Sequence, residues 1–152
     1  MEYGVIHHRT SIKVLCKGWE YIDVSRQGTW TARLVSRFYK DGDLILESSV
    51  STAIFSRSLI INYQKLAENI VVSKNKRAFT FICGKDVLRS EQKIFKNPIY
   101  LLYRNDEVCG EVYQEPFGIS LPPYKYRVVF KKDQETNLYS LLTFLMELPD
   151  YE

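Results

Sequence analysis

At 152 residues the chain has the size of one domain, able to bury roughly 70% of the surface its unfolded form exposes, so no covalent staple is required. Its net charge of +3 comes from 21 basic and 18 acidic residues interleaved along the sequence, which argues against a dedicated nucleic-acid binder, and no run approaches the roughly 18 apolar residues of a membrane-spanning helix. Three cysteines, Cys16, Cys83 and Cys109, odd in number and without CxxC spacing, suggest neither a disulfide framework nor a zinc site; with no secretion signal at Met1-Glu2-Tyr3-Gly4, they point to the cytoplasm.

The first residues with chemical interest are His7 and His8. Neighbours on a strand point to opposite faces, so the two cannot ligate one metal, and no HxxxH or CxxC completes a set. Short strands follow at Ile12–Lys17 and Tyr21–Val24. From Thr29 to Tyr39 the residues Trp30, Ala32, Leu34, Ser36 and Phe38 alternate with Thr31, Arg33, Val35 and Arg37, a period of two. Lys40-Asp41-Gly42-Asp43 then predicts a hairpin turn, because glycine takes positive φ at no steric cost. The return strand, Leu44 to Val50, places Leu44, Leu46 and Val50 on a dry face and Glu47, Ser49 and Ser51 on a wet one.

The same reasoning gives strands at Leu59–Gln64, Ile70–Ser73, Ala78–Cys83, Ile99–Tyr103, Glu107–Gln114 and Tyr124–Lys131, with Ser90–Phe95 readable as a helical turn or a strand. Eleven tyrosines and eight phenylalanines suit a pleated, half-buried surface. Residues 39–44 and 103–108 resemble one another as strand, polar turn and strand, and two unrelated hairpins suffice to explain the likeness. Cys16, Cys83 and Cys109 lie in or beside strand patterns and read as packed thiols. Asp41 with Asp43, and Asp106 with Glu107, read as solvated turn carboxylates. No GxGxxG or GxxxxGK[ST] element is present to cradle a phosphate.

The last element is a helix over Leu138–Leu148. Leu138, Leu141, Leu142, Leu145 and Met146 recur at intervals of three and four, Asp133, Glu135 and Thr136 supply acceptors and negative charge for its N-terminus, and Pro149 ends it. At 100° per residue, Asn137, Ser140, Thr143 and Glu147 occupy only about a third of its circumference. Tyr139, Phe144 and Leu148 widen the apolar stripe beyond what a helix on one sheet face needs, so the helix should be enclosed. The expected fold is mainly β, an antiparallel barrel or sandwich of many short strands around a hydrophobic C-terminal helix, in a single domain over residues 1–152.

Two surface segments are binding candidates. Lys74, Lys76 and Arg77 form a compact basic turn, which with Lys131 and Lys132 could hold a phosphate head group or an acidic partner. Glu115-Pro116-Phe117-Gly118-Ile119-Ser120-Leu121-Pro122-Pro123-Tyr124 leaves Phe117, Ile119 and Leu121 without a pattern partner, as an exposed interaction loop or a cover over a barrel mouth.

Tyr103 to Val112 with Gly110 before Glu111, then Tyr124 to Phe130, then Asp133 leading into Leu138–Leu148, resembles the tubby-like C-terminal superfamily, which includes the phospholipid scramblases. The resemblance covers about the last fifty residues and, more loosely, the hairpins from Trp19 onward. It implies a closed barrel around a central hydrophobic helix and a non-enzymatic domain facing lipid or protein; some relatives bind anionic phosphoinositide head groups through basic surface side chains. The pleckstrin-homology barrel is also similar in closing on a terminal helix, and Gly28-Thr29-Trp30 resembles the opening of small lipid-carrying barrels. The expected function is a binding or interaction module with no cofactor and no metal, recognising an anionic lipid head group or an acidic protein. The alternatives are a barrel carrying a small apolar ligand and an enzyme, which would need a cleft where titratable groups converge.

Overall fold

The computed structural model describes residues 1–29, 33–52, 56–74, 79–118 and 121–149. Over these residues the chain forms β1 (Glu2–His7), β2 (Ser11–Cys16), β3 (Trp19–Gly28), β4 (Arg33–Lys40), β5 (Asp43–Thr52), β6 (Arg57–Gln64), β7 (Ile70–Lys74), β8 (Phe79–Cys83), β9 (Asp86–Gln92), β10 (Tyr100–Arg104), β11 (Glu107–Gln114), β12 (Tyr124–Phe130) and α1 (Asn137–Glu147). The strands form one sheet in the order β6-β5-β4-β3-β2-β1-β12-β11-β10-β9-β8-β7, a nearly closed antiparallel barrel. Two six-stranded meanders are thus joined through β1 and β12, in register from Glu2 opposite Val129 to His7 opposite Tyr124.

Antiparallel neighbours can be joined by two-residue turns, and the strand twist favours turns with both residues in the left-handed region. Lys17-Gly18, Asp41-Gly42 and Asn105-Asp106 all adopt it, with φ between 51° and 80°. Each of these hairpins also shifts register just before its turn, at Val14/Leu15, Phe38/Tyr39 and Leu102/Tyr103. The likeness between residues 39–44 and 103–108 therefore extends to a third hairpin, and a common turn geometry explains it.

The barrel closes by an unusual contact. β6 and β7 are the edges of the sheet, and the Gln64 side chain stands in for a strand between them. Its Nε2 donates to the Ile70 carbonyl at 3.1 Å, and its Oε1 accepts from the Ile70 N–H at 2.7 Å.

Inside lies α1. Leu141, Leu142, Leu145 and Met146 are fully buried against inward side chains of both meanders, among them Val14, Val24, Phe38, Leu46, Phe81, Leu88, Leu102 and Val128. Phe144 meets Tyr100 and Tyr126 edge to face. Enclosure goes further than the apolar stripe required, because Asn137, Ser140 and Thr143 of the polar arc are buried too and Glu147 is half-buried. Each has a partner. The Asn137 amide donates to the Lys132 carbonyl, Ser140 Oγ lies against Cys109 Sγ, Thr143 donates to the Ser140 carbonyl, and Ser90 donates to the Glu147 carboxylate. A polar side chain can be enclosed at little cost when it is hydrogen-bonded.

Several expected boundaries move. β1 and β9 are strands that the alternation did not reveal; Ser90 to Gln92 is strand and the chain leaves the sheet at Lys93. Both hide for the same reason, since their inward positions include polar groups, His7 in β1 and Ser90 in β9. Ser49, expected on the wet face of β5, is buried with its hydroxyl accepting from Asn62 at 2.6 Å. Trp30, Thr31 and Ala32 lie outside the described residues.

The topology gives the barrel two ends. The β2–β3, β4–β5, β8–β9 and β10–β11 turns and the N-terminus of α1 share the entry end. The β1–β2, β9–β10 and β11–β12 connections share the exit end with the C-terminus of α1, as the hydrogen bonds from Arg26 of β3 to Leu145, Leu148 and Pro149 require.

Candidate functional site

At the entry end, the segment from Phe130 to Asn137 turns the chain inward, and a half-open pocket of about 850 Å³ forms between it and the β10–β11 hairpin. Arg104, Asn105, Glu107, Val108 and Cys109 line it from the hairpin; Lys131, Lys132, Gln134, Thr136, Asn137 and Ser140 line it from the helix approach. Arg104 is held in place from behind, its Nε 3.3 Å from the Asp86 carboxylate and its Nη1 donating to Gln134 Oε1. The Lys131 N–H bonds to the Cys109 carbonyl, which fixes the backbone that carries both lysines. Their side chains are exposed, and neither joins an ion pair among the described residues.

The sign of this charge is informative. The N-terminus of a helix is the positive end of its dipole, so cations there cost a few tenths of a kcal/mol to about 1 kcal/mol instead of stabilising. No acidic residue lies in the first turn of α1, and Thr136, at the N-cap position, makes no side-chain cap. The expectation that Asp133, Glu135 and Thr136 would serve the first N–H groups is corrected on this point. Thr136 has helical φ and ψ, its hydroxyl donates to Gln134, and the N–H groups of Asn137, Leu138 and Tyr139 take the carbonyls of residues 134, 135 and 136 in a tightened turn. Lys131 and Lys132, which join no ion pair among the described residues, and Arg104, already paired with Asp86, therefore line one concavity at the helix N-terminus, with Glu107 as the carboxylate among its lining residues. Burial pushes the Cys109 thiol up, against the pull of the Ser140 hydrogen bond and of Arg104 and Lys131.

The other end of the helix is sealed by charge of the helpful sign. Arg26 is buried, its Nη2 donating to the carbonyls of Leu145 at 2.9 Å and Leu148 at 2.8 Å, and its Nη1 to that of Pro149 at 3.1 Å. Arg57 adds a bond to the Glu147 carbonyl at 2.8 Å. The carbonyls at a helix end lack the usual intrahelical partners; here guanidinium groups satisfy those of Glu147, Leu148 and Pro149 and add to the Leu148 N–H at that of Leu145. His7 lies beside Arg26, Nη1 to Nε2 3.5 Å. Arginine only donates, so in this contact Nε2 is the acceptor. Burial, then the neighbouring Arg26 charge, brings the His7 pKa down to about 3, and the ring stays neutral. Burial likewise pushes the Glu147 carboxyl up to about 7.

Of the five basic residues picked from the sequence, Lys131 and Lys132 come together in the pocket. Lys74 closes β7 opposite Phe79, at the exit end. Lys76 and Arg77 lie outside the described residues. His7 is buried and His8 exposed, as neighbours at a strand end should be. Among the described residues no group of three or more His, Cys, Asp or Glu side chains is arranged to hold a metal, and no helix is long and apolar enough to cross a membrane. Arg104 was missed because its anchor, Asp86, is on another strand, while Arg26 was missed because an arginine in an alternating strand reads as outward. One signal was available for the pocket, the Lys131-Lys132 pair just ahead of a helix N-terminus, where acidic residues are the usual choice. Comparisons with protein-family models, with curated proteins and with solved structures find no match.

Proposed function

We propose that the chain is a non-enzymatic binding module whose entry-end pocket takes a carboxylate or phosphate group presented by an acidic protein segment. The observation that carries this reading is the convergence of Arg104, Lys131 and Lys132 on one pocket at the positive end of α1, an arrangement unfavourable to the fold and relieved by an anion. An acidic segment is preferred to a flat anionic bilayer here because the cations line a half-open concavity, which offers them to a group that enters. The titratable lining groups are cations, one carboxylate and a thiol raised by burial, a set suited to holding charge more than to moving protons. The tubby-like resemblance implies a closed barrel around a central apolar helix, and some relatives in that superfamily bind anionic head groups through basic surface side chains. The apolar-ligand carrier has no comparable support, because α1 occupies the barrel interior.

The test is titration with a glutamate-rich peptide, the same peptide bearing phosphoserine, and vesicles containing an anionic lipid, each with the wild type and with Lys131→Glu/Lys132→Glu. Peptide binding that weakens at least about tenfold in the double variant supports the reading. Absence of peptide binding by the wild type, or equal binding by both proteins, rejects it; vesicle binding that depends on these lysines moves the pocket to a lipid head group.

A further inference from the structure

The exit end carries a different kind of surface. The β9–β10 connection runs Lys93-Ile94-Phe95-Lys96, and Ile94 and Phe95 are 75% and 93% exposed. The β11–β12 connection beside it exposes Phe117 at 50% and Leu121 at 74%. The two loops are fastened together: Asn97 Nδ2 donates to the Gln114 carbonyl at 3.3 Å, and Asn97 Oδ1 accepts from the Gln114 N–H at 3.0 Å. The Gly118 N–H in turn donates to Gln114 Oε1. Four large apolar side chains are thus displayed on a braced pair of loops.

Two features separate this from the scattered surface apolars of any protein. Phe95 has φ of 57°, a left-handed backbone that a bulky side chain adopts only against strain, and such strain collects at functional sites. Among the described residues the charge around the loops is also one-sided. Arg9, Lys96 and Lys125 are exposed at this end, whereas the nearby acidic groups are spoken for: Glu91 is bonded by Lys93 at 2.6 Å and Glu115 by Arg127 at 2.7 Å. Apolar side chains projecting from loop tips amid cations suit a bilayer interface, where the rings and alkyl groups enter the acyl boundary and the cations meet anionic head groups.

We infer that the exit end is a membrane-docking surface, in which Ile94, Phe95, Phe117 and Leu121 enter the interfacial region of an anionic bilayer. Docking of this kind leaves the entry-end pocket facing away from the membrane. The two surfaces are independent, since each rests on its own residues, and together they would make an adaptor.

The test uses the whole chain and two vesicle populations, one of phosphatidylcholine alone and one containing phosphatidylserine. The wild type is expected to co-sediment with the anionic vesicles, and Ile94→Ser/Phe95→Ser to do so at least about tenfold more weakly with an unchanged melting temperature, because both side chains are already in water. As a second readout, Phe95→Trp should show a blue-shifted emission increment on adding anionic vesicles and quenching by brominated acyl chains. Lys131→Glu/Lys132→Glu should bind vesicles like the wild type, which separates this inference from the pocket reading. No sedimentation of the wild type at low salt, or undiminished sedimentation of the Ile94→Ser/Phe95→Ser protein, would overturn it, as would emission from the Phe95→Trp protein that is blind to the vesicles.

Discussion

The two ends of α1 use arginine and lysine in opposite ways. At the C-terminus, Arg26 and Arg57 point their donors at carbonyls of Leu145, Glu147, Leu148 and Pro149 from within the barrel. At the N-terminus, Lys131, Lys132 and Arg104 stand near N–H groups that already have backbone partners, on the side of the pocket open to solvent. Positive charge is favourable beside the negative end of a helix dipole and unfavourable beside the positive end. The first set of cations is therefore explained by the fold, as is Arg104 through Asp86 and Gln134, whereas Lys131 and Lys132 are not. This difference turns a count of basic residues into a functional argument.

The comparison can be broken in several places. Both ends presuppose an enclosed helix, so the largest effect belongs to Leu142→Asp, which places an unpaired carboxylate in a fully buried position; no cooperative unfolding transition is expected by calorimetry. If Arg26 is structural, Arg26→Met should cost about 3–5 kcal/mol in urea unfolding, because it leaves buried carbonyls without donors, and Arg26→Lys should restore only part of it for want of the forked geometry.

The titratable groups at the exit end sharpen the contrast further. The unfolded chain protonates His7 near pH 6.5, while the folded one resists until about pH 3. Unfolding therefore takes up a proton in that window, and stability should fall by up to about 4 kcal/mol as pH drops through it; His7→Gln should flatten the slope. Glu147 has the opposite sign. Its folded pKa is raised to about 7 from the usual 4.5, so its contribution is greatest below pH 4.5 and declines as pH rises through 7. At pH 8, Glu147→Gln should accordingly stabilise the protein by about 1–3 kcal/mol in the same unfolding assay. The smallest effect is expected at the entry end, where Lys131→Glu and Lys132→Glu should each raise stability by about 0.3–1 kcal/mol while removing anion binding. Lost stability instead would mean that these lysines belong to the fold.

How far the sequence led depends on which side chains face which environment. The helix was readable because its apolar residues recur at helical spacing, and its enclosure followed from the width of that stripe. The Asp41-Gly42 hairpin was readable because its turn chemistry is local. β1 and β9 were obscured by inward polar residues, His7 and Ser90, whose reason for facing inward lies at the far end of the chain: Ser90 serves Glu147, and His7 sits against the arginine that caps the helix. The pocket was half legible. Lys131 and Lys132 are adjacent in sequence, but Arg104 joins them only because β11 separates its strand from β12 in the sheet. The grouping of Lys74 with Lys131 was a matter of charge alone, and topology puts these residues at opposite ends.

The Gln64 bridge means that the cylinder is fastened along one line by a side chain instead of by a ladder of main-chain bonds. Each meander is continuous in sequence, residues 2–64 and 70–130, and the 65–69 linker spans a place where, among the described residues, the two meet without paired strands. A cut there would sever no pair of neighbouring strands. The two halves are joined in the sheet through β1 and β12, and both contribute to the core around the helix.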